Sequence, residues 1–179
     1  MPQSLLATFA LVFIATSTLG LNVRHLNIQR QTYTREIHEM GSSTIIEVME
    51  FIRARTFDRA LDLGLNTSTP DNFTFNNSTE HFVKGAPCRV LSETGTRDCR
   101  YIDDFHKQEV VRPFVLGLDT VFFKVNIDVK YVDDQFEPAS GRTFHKQVTI
   151  SVQDVWPKTN GKPFLATPIR LSRVFSYKS

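Results

Sequence analysis

The sequence has 179 residues, of which 41% are hydrophobic and 22% are charged, and 21 Lys and Arg side chains against 19 Asp and Glu side chains give a net charge of +2. This length is typical of a single domain, with at most one additional segment outside it. A protein that binds nucleic acid through its phosphates needs a surplus of basic residues, so the charge balance argues against a nucleic-acid partner. The hydrophobic residues are unevenly distributed, because residues 1–23 contain no charged side chain.

The N-terminal segment is apolar over residues 5–21, where three Thr and one Ser are the only polar side chains. A helix of this length rises roughly 25 Å at about 1.5 Å per residue, close to the ~30 Å hydrocarbon core of a bilayer. Three interpretations fit such a segment: a cleaved secretory signal, a permanent single-pass anchor, and a retained helix that packs against copies of itself. A signal peptide normally begins with a basic region, which residues 1–4 lack, so we expect the segment to be retained.

A second helical pattern follows the apolar segment without interruption. Apolar residues recur at helical spacing over residues 26–52, with Arg and Glu between them, which predicts an amphipathic helix. We therefore predict one long helix over residues 1–60, with an apolar part at 1–23 and an amphipathic part at 24–60. Gly41 is a weak point of this helix, because Gly costs about 1 kcal/mol relative to Ala in a helix interior.

Residues 61–179 are predicted to form a globular, β-rich head. Alternating apolar and polar residues predict strands at 119–131 and 146–155, joined as an antiparallel hairpin by a long loop that contains Pro138 and Gly141. The residues expected on the apolar side of these two strands are Val121, Phe123, Val125, Ile127, Val129, Val148, Ile150, Val152 and Val155. Residues 169–177 are a third candidate strand, and 82–83 and 89–91 are short candidate edges.

An antiparallel sheet with one solvent-exposed face requires a layer of other structure to cover its apolar face. We expect residues 37–52 of the long helix to supply that layer. The predicted fold class is therefore α+β, with a long N-terminal helix packed on a small antiparallel sheet.

Two features of the head are typical of an exported protein. Cys88 and Cys99 are the only cysteines, and a single pair at short spacing in an exported chain is expected to form a disulfide. A loop rich in Asn, Ser and Thr precedes them and carries four candidate N-glycosylation sequons. These sequons begin at Asn66, Asn72, Asn76 and Asn77.

The sequence contains no recognised catalytic motif: HExxH, GxGxxG, GxxxxGK[ST] and GxSxG do not occur. The five histidines are scattered rather than spaced as metal ligands. The pairs Asp103-Asp104 and Asp133-Asp134 lack the spacing of a calcium-binding loop, so we expect solvated turn carboxylates. We therefore expect neither enzymatic activity nor a metal or other cofactor.

The order of these elements resembles a type IV pilin or pseudopilin: an apolar half-helix, an amphipathic half-helix and a strand-rich head. The end of the long helix in minor pilins is similar to residues 42–62, SSTIIEVMEFIRARTFDRALD. The strands of such heads resemble VFFKVNIDVKYVDD and HKQVTISVQDVWP. One position departs from the pattern: Leu5 stands where most bacterial pilins carry a carboxylate early in the mature helix, and the first acidic residue here is Glu36.

This resemblance implies a structural subunit of an extracellular helical filament, a homo-oligomer whose subunits sit in the inner membrane before the assembly machinery extracts them. An apolar helix that lines the filament core must be covered by neighbouring copies. The residues expected to pack there are Leu5, Leu6, Phe9, Val12, Phe13, Ile14, Leu19 and Leu21. The alternative is a single-pass or secreted glycoprotein that binds a partner through its head.

Overall fold

The computed structural model describes residues 2–76, 81–91, 94–116, 119–155 and 163–178, without the side chains of residues 2–6, 116 and 119. Contacts along the chain divide it into two compact units, Met1–His38 and Glu39–Ser179. The helices and strands are α1 (Pro2–Arg53), α2 (Arg59–Asp62), β1 (Glu109–Leu116), β2 (Asp119–Val132), β3 (His145–Val155) and β4 (Ile169–Ser176), with short 3-10 helices at Pro70–Asn72 and Ile102–Phe105.

The long N-terminal helix expected from the sequence is present as α1, but it ends at Arg53 rather than near Ala60. After it the chain extends and pairs with a distant segment. Thr56 N–H donates to Arg100 O at 3.2 Å, and Ile102 N–H donates to Thr56 O at 3.1 Å. These non-local hydrogen bonds compete with continuation of the helix, and hydrophobic periodicity carries no information about them.

The four strands form one antiparallel sheet in the order β1-β2-β3-β4. The predicted hairpin is confirmed: β2 pairs with β3 from Phe122↔Val155 to Val132↔His145. The third predicted strand is also confirmed, as β4. The sequence prediction missed β1, which contains Pro113 and occupies an edge of the sheet. An edge strand tolerates proline because one side of its backbone has no partner strand.

The core of the second unit lies between the C-terminal part of α1 and the apolar face of the sheet. Buried side chains on α1 include Ile45, Val48, Met49 and Ile52. Two ion pairs tie the helix to both edges of the sheet, since Glu47 pairs with Arg112 of β1 at 2.9 Å and Glu50 pairs with Arg173 of β4 at 3.4 Å. The α+β prediction of a helix packed on an antiparallel sheet is therefore confirmed.

The inward-facing side chains of β2 and β3 follow the predicted alternation, with one exception. Val121, Phe123, Val125, Ile127, Val129, Val148, Ile150 and Val152 are all buried. Val155 is 41% exposed, because the inward positions of β3 are the even-numbered ones and Asp154 occupies the last of them. The Asp154 carboxylate accepts hydrogen bonds from Phe164 N–H at 2.7 Å and Leu165 N–H at 2.9 Å, which satisfies it in its buried position.

Candidate functional site

Two features of the described residues stand apart from ordinary packing, and the first is the uncovered apolar surface of α1 in the first unit. Phe9 is 69% exposed and Phe13 is 73% exposed. The large apolar side chains of this part of α1 that are exposed are Phe9, Leu11, Val12, Phe13, Ile14, Leu19, Leu21, Val23, Leu26 and Ile28. Four of them are consecutive, so the apolar surface surrounds the helix rather than forming a stripe.

The sequence-predicted packing residues lie within this surface. Phe9, Val12, Phe13, Ile14, Leu19 and Leu21 are exposed, whereas the side chains of Leu5 and Leu6 lie outside the described residues. Hydroxyl groups in the same stretch are satisfied by the helix itself, since Thr16 Oγ1 donates to Val12 O at 3.0 Å and Thr18 Oγ1 donates to Ile14 O at 2.8 Å. In the described part of the chain, this one helix is long and apolar enough to cross a membrane by length and composition.

The second feature is a buried amine held between two carboxylates in the head. Lys146, at the start of β3, is fully buried, and its Nζ lies 2.6 Å from Asp58 Oδ2 and 3.0 Å from Asp103 Oδ1. A third hydrogen bond runs from Nζ to Phe57 O at 2.7 Å. The ammonium group therefore uses its three donors within the protein, as a buried charge requires.

Asp58 is placed by the local backbone at the N-terminus of α2. Its Oδ1 accepts hydrogen bonds from Ala60 N–H at 3.0 Å and from both the N–H and the hydroxyl of Thr74 at 3.1 Å. Tyr131 Oη donates to Thr74 O at 2.8 Å and lies 3.4 Å from Asp58 Oδ2. Burial, with the neighbouring Asp58 and Asp103 carboxylates, raises the pKa of Tyr131 well above its usual range, so this hydroxyl remains a donor.

Aromatic rings enclose the amine on several sides. Lys146 Nζ lies 4.7 Å from the ring centre of Phe57, 5.1 Å from that of Phe82 and 5.4 Å from that of Tyr131. These rings exclude water from the ion cluster, and their faces attract a cation. Burial also raises the pKa of the Asp103 carboxyl, and the Asp58 carboxylate adds to this, although Lys146 opposes it.

Sequence reasoning missed this cluster and misjudged one of its members. The expectation that Asp103 and Asp104 are solvated turn carboxylates is wrong, because both are buried. Asp104 forms an ion pair with Arg97 and accepts hydrogen bonds from Arg100 N–H and Tyr101 N–H. One signal in the sequence pointed to the burial of Lys146. In the alternating pattern of β3 it occupies an inward, even-numbered position, on the same side as Val148.

The predicted disulfide is confirmed between Cys88 and Cys99. Gln108 holds the start of this loop, since its side-chain oxygen accepts from Cys88 N–H at 3.3 Å and its Nε2 donates to Ala86 O at 3.2 Å. The disulfide and Gln108 therefore fix an irregular part of the chain next to β1.

The candidate sequons differ in exposure. Asn66 and Asn72 are exposed, Asn76 is half-buried, and Asn77 lies outside the described residues. Asn72 Nδ2 donates to Asn66 O at 2.8 Å, so the loop is held by its own polar groups.

Comparison with known proteins identifies no relative. No family model matches the sequence, and neither a curated protein nor a solved structure is significantly similar to the chain. Within the described ranges no group of three or more His, Cys, Asp or Glu side chains is arranged to hold a metal ion.

Proposed function

We propose that this chain is a pilin-like structural subunit of an extracellular helical filament, held together by the packing of its N-terminal helices. The observation that carries the proposal is the apolar surface around the first part of α1, where residues such as Phe13 and Leu11 are more than 60% exposed in the single chain. Such a surface needs a covering environment, because each Å² of apolar area left in water costs about 25 cal/mol.

A bilayer and a bundle of identical helices are the two environments that cover a helix on all sides. The length and composition of α1 support insertion in a membrane before assembly. Small residues at Ala7, Ala10, Ala15 and Gly20 would allow neighbouring helices to approach closely after extraction from the membrane. A head-to-tail contact that does not close into a ring then propagates as a filament.

Placing a charge within the apolar surface tests the proposal. Ala10→Lys and Phe13→Lys should abolish filaments, because a buried lysine without a partner is strongly unfavourable. Gln31→Lys is the matched control, since Gln31 is an exposed polar residue of the same helix, and this variant should assemble normally. The readouts are negative-stain electron microscopy of surface material and the presence of the Cys88–Cys99 disulfide as a check on the head. Abundant normal filaments from both apolar-surface variants would refute the proposal.

The exposed sequons at Asn66 and Asn72 favour a second candidate, a single-pass or secreted glycoprotein that binds a partner through its head. N-terminal sequencing of the protein from its native source separates the candidates. A filament subunit retains the apolar segment, whereas a secreted protein begins near residues 20–23. A single-pass protein retains the segment but forms no filament.

A further inference from the structure

The buried cluster of Lys146, Asp58 and Asp103 contains one amine and two carboxyl groups, and the side chains of Lys146 and Asp58 are fully buried. If all three were charged, a net negative charge would remain among aromatic rings, which is costly. One proton on Asp103 would leave the cluster neutral, as an ammonium, the Asp58 carboxylate and a neutral Asp103 carboxyl; burial raises the pKa of Asp103 in that direction, although Lys146 opposes it. Together these groups hold every proton that condensation of an amine with a carboxylate requires.

We propose that Lys146 Nζ and Asp58 Cγ become joined by an amide bond within the folded head, with loss of one water molecule and with Asp103 acting as the acid. The contact of 2.6 Å between Nζ and Asp58 Oδ2 places the two reacting groups together, and the contact of 3.0 Å between Nζ and Asp103 Oδ1 places the acid beside them. No residue outside the cluster has to donate or accept a proton in the reaction.

The reaction balances without an added reactant. The ammonium first transfers a proton to Asp58 Oδ2, which leaves a neutral amine beside a neutral carboxylic acid. The nitrogen lone pair then attacks Asp58 Cγ, and the carbonyl electron pair moves to Oδ1. Asp103 donates its proton to the departing Oδ2 hydroxyl, the C–Oδ2 bond breaks and water leaves. The nitrogen returns a proton to Asp103, so the acid is regenerated and the product is a neutral amide.

The surroundings of Asp58 favour this direction of attack. Negative charge develops on Oδ1 in the tetrahedral intermediate, and three donors already lie within hydrogen-bond distance of that atom: Ala60 N–H, the Thr74 hydroxyl and Thr74 N–H, which is equally close to Oδ2. Preorganised donors of this kind stabilise an oxyanion without further reorganisation. Asp58 is therefore the acceptor, and Asp103, which lacks such a set of donors among its described hydrogen bonds, is the acid.

The position of each carboxyl group relative to solvent supports the same assignment. Asp103 lines a surface pocket with Thr74 and Phe82, which gives the released water a way out. The side chains of Lys146 and Asp58 are fully buried. Exclusion of bulk water from the bond opposes hydrolysis once the amide has formed.

The bond would covalently join the segment that follows α1 to the start of β3. These two residues are 88 positions apart in the sequence, so the link closes a long loop and removes much of the conformational freedom of the unfolded chain. The inference concerns the head alone and does not depend on whether the chain forms a filament.

A peptide map of the full chain tests the proposal directly. The chain, purified in detergent, is reduced, alkylated and digested with trypsin, and the fragments are analysed by tandem mass spectrometry. We expect residues 56–59 to be joined to residues 143–158, without cleavage after Lys146, at a mass one water below the sum of the two peptides. Recovery of the unlinked peptides, with normal cleavage after Lys146, would show an ordinary ion pair and overturn the proposal. A link from Lys146 to residues 101–107 would overturn the choice of Asp58 as the acceptor.

Variants test the roles of the three residues. Lys146→Arg should give no linked peptide, because a guanidinium is not a nucleophile of this kind. Asp103→Asn keeps the shape of the side chain but cannot supply the proton, and the linked fraction should fall at least tenfold. Lys124→Arg, at an exposed ion pair with Glu109, is the control and should be linked like the unmodified sequence. Normal linkage in Asp103→Asn would overturn the assignment of the acid.

Discussion

Gly41 of α1 lies against the ring of Phe123 of β2, with no room for a large side chain between them. A Cβ at position 41 would lie 3.5 Å from Phe123 Cε1 and 2.9 Å from Ile169 Cδ1. Phe123 is fully buried, so its ring cannot move aside without disturbing the core. A Cβ alone would press on the movable end of Ile169 and would only touch Phe123, whereas a larger side chain would meet the Phe123 ring as well.

Gly41→Leu should destabilise the head by about 1–3 kcal/mol, because the new side chain overpacks the contact between α1 and β2. The measurement is thermal unfolding in detergent, followed by circular dichroism. Gly20→Leu is the matched control, since a Cβ at Gly20 meets no atom within 4 Å. Equal melting temperatures for the two variants would contradict the close approach at Gly41.

Lys146→Met should be among the most destabilising single substitutions in the head. Removing the side-chain nitrogen leaves the Asp58 and Asp103 carboxyl groups buried together without their partner, and breaking a buried ion cluster in this way costs about 3–5 kcal/mol, to which loss of the proposed Lys146–Asp58 link would add. Lys124→Met removes a lysine whose ion pair with Glu109 is about half exposed at the surface, and it should cost only about 0–1 kcal/mol. Chemical denaturation of both variants gives the comparison, and similar losses would argue against the ion cluster.

His81 should make the head less stable in mild acid. Its Nδ1 accepts a hydrogen bond from Tyr131 N–H at 2.9 Å, which requires an unprotonated nitrogen. Burial lowers the pKa of His81, and the nearby His106 and Lys130 add to this, whereas a hydrogen bond to Ala139 and the charge of Asp128 oppose it. The unfolded chain therefore binds the proton more readily, so stability is fully present above about pH 6.5 and is lost as the pH falls through that value towards the folded-state pKa.

The measurement is the melting temperature at a series of pH values from about 7 to about 5. His81→Asn keeps a hydrogen-bond acceptor near Tyr131 N–H but does not titrate in this range, so its melting temperature should fall less steeply with acid. An unchanged slope in His81→Asn would assign the acid sensitivity to another group.

The Cys88–Cys99 disulfide should contribute about 2–3 kcal/mol, the amount expected for closing a loop between residues separated by 11 positions. The double variant Cys88→Ala/Cys99→Ala and the reduced natural sequence should therefore unfold at similar denaturant concentrations, both below that of the oxidised protein. Unchanged stability after reduction would mean that Gln108 and its hydrogen bonds hold the loop without the disulfide.

Much of the fold could be read from hydrophobic periodicity. The alternation in β2 and β3 identified both strands and most of their buried apolar residues, but not the buried Tyr131, Val132, Lys146 and Asp154, and helical spacing identified α1. The strand β1 was missed because Pro113 interrupts its pattern, and proline is tolerated there only because β1 lies at the edge of the sheet. Edge position is a property of the assembled sheet rather than of the segment itself.

The candidate sites also divide into features that the sequence predicts and features that depend on the tertiary structure. The sequence by itself determined the apolar stretch of α1 and the pairing of the only two cysteines, because composition and number are local properties. Only the tertiary structure decided that Lys146, Asp58 and Asp103 meet, since they come from three separate segments and a charged side chain can be buried only where its partners are also brought. Sequence patterns record which residues avoid water, whereas the partners that satisfy a buried charge depend on how distant segments pack.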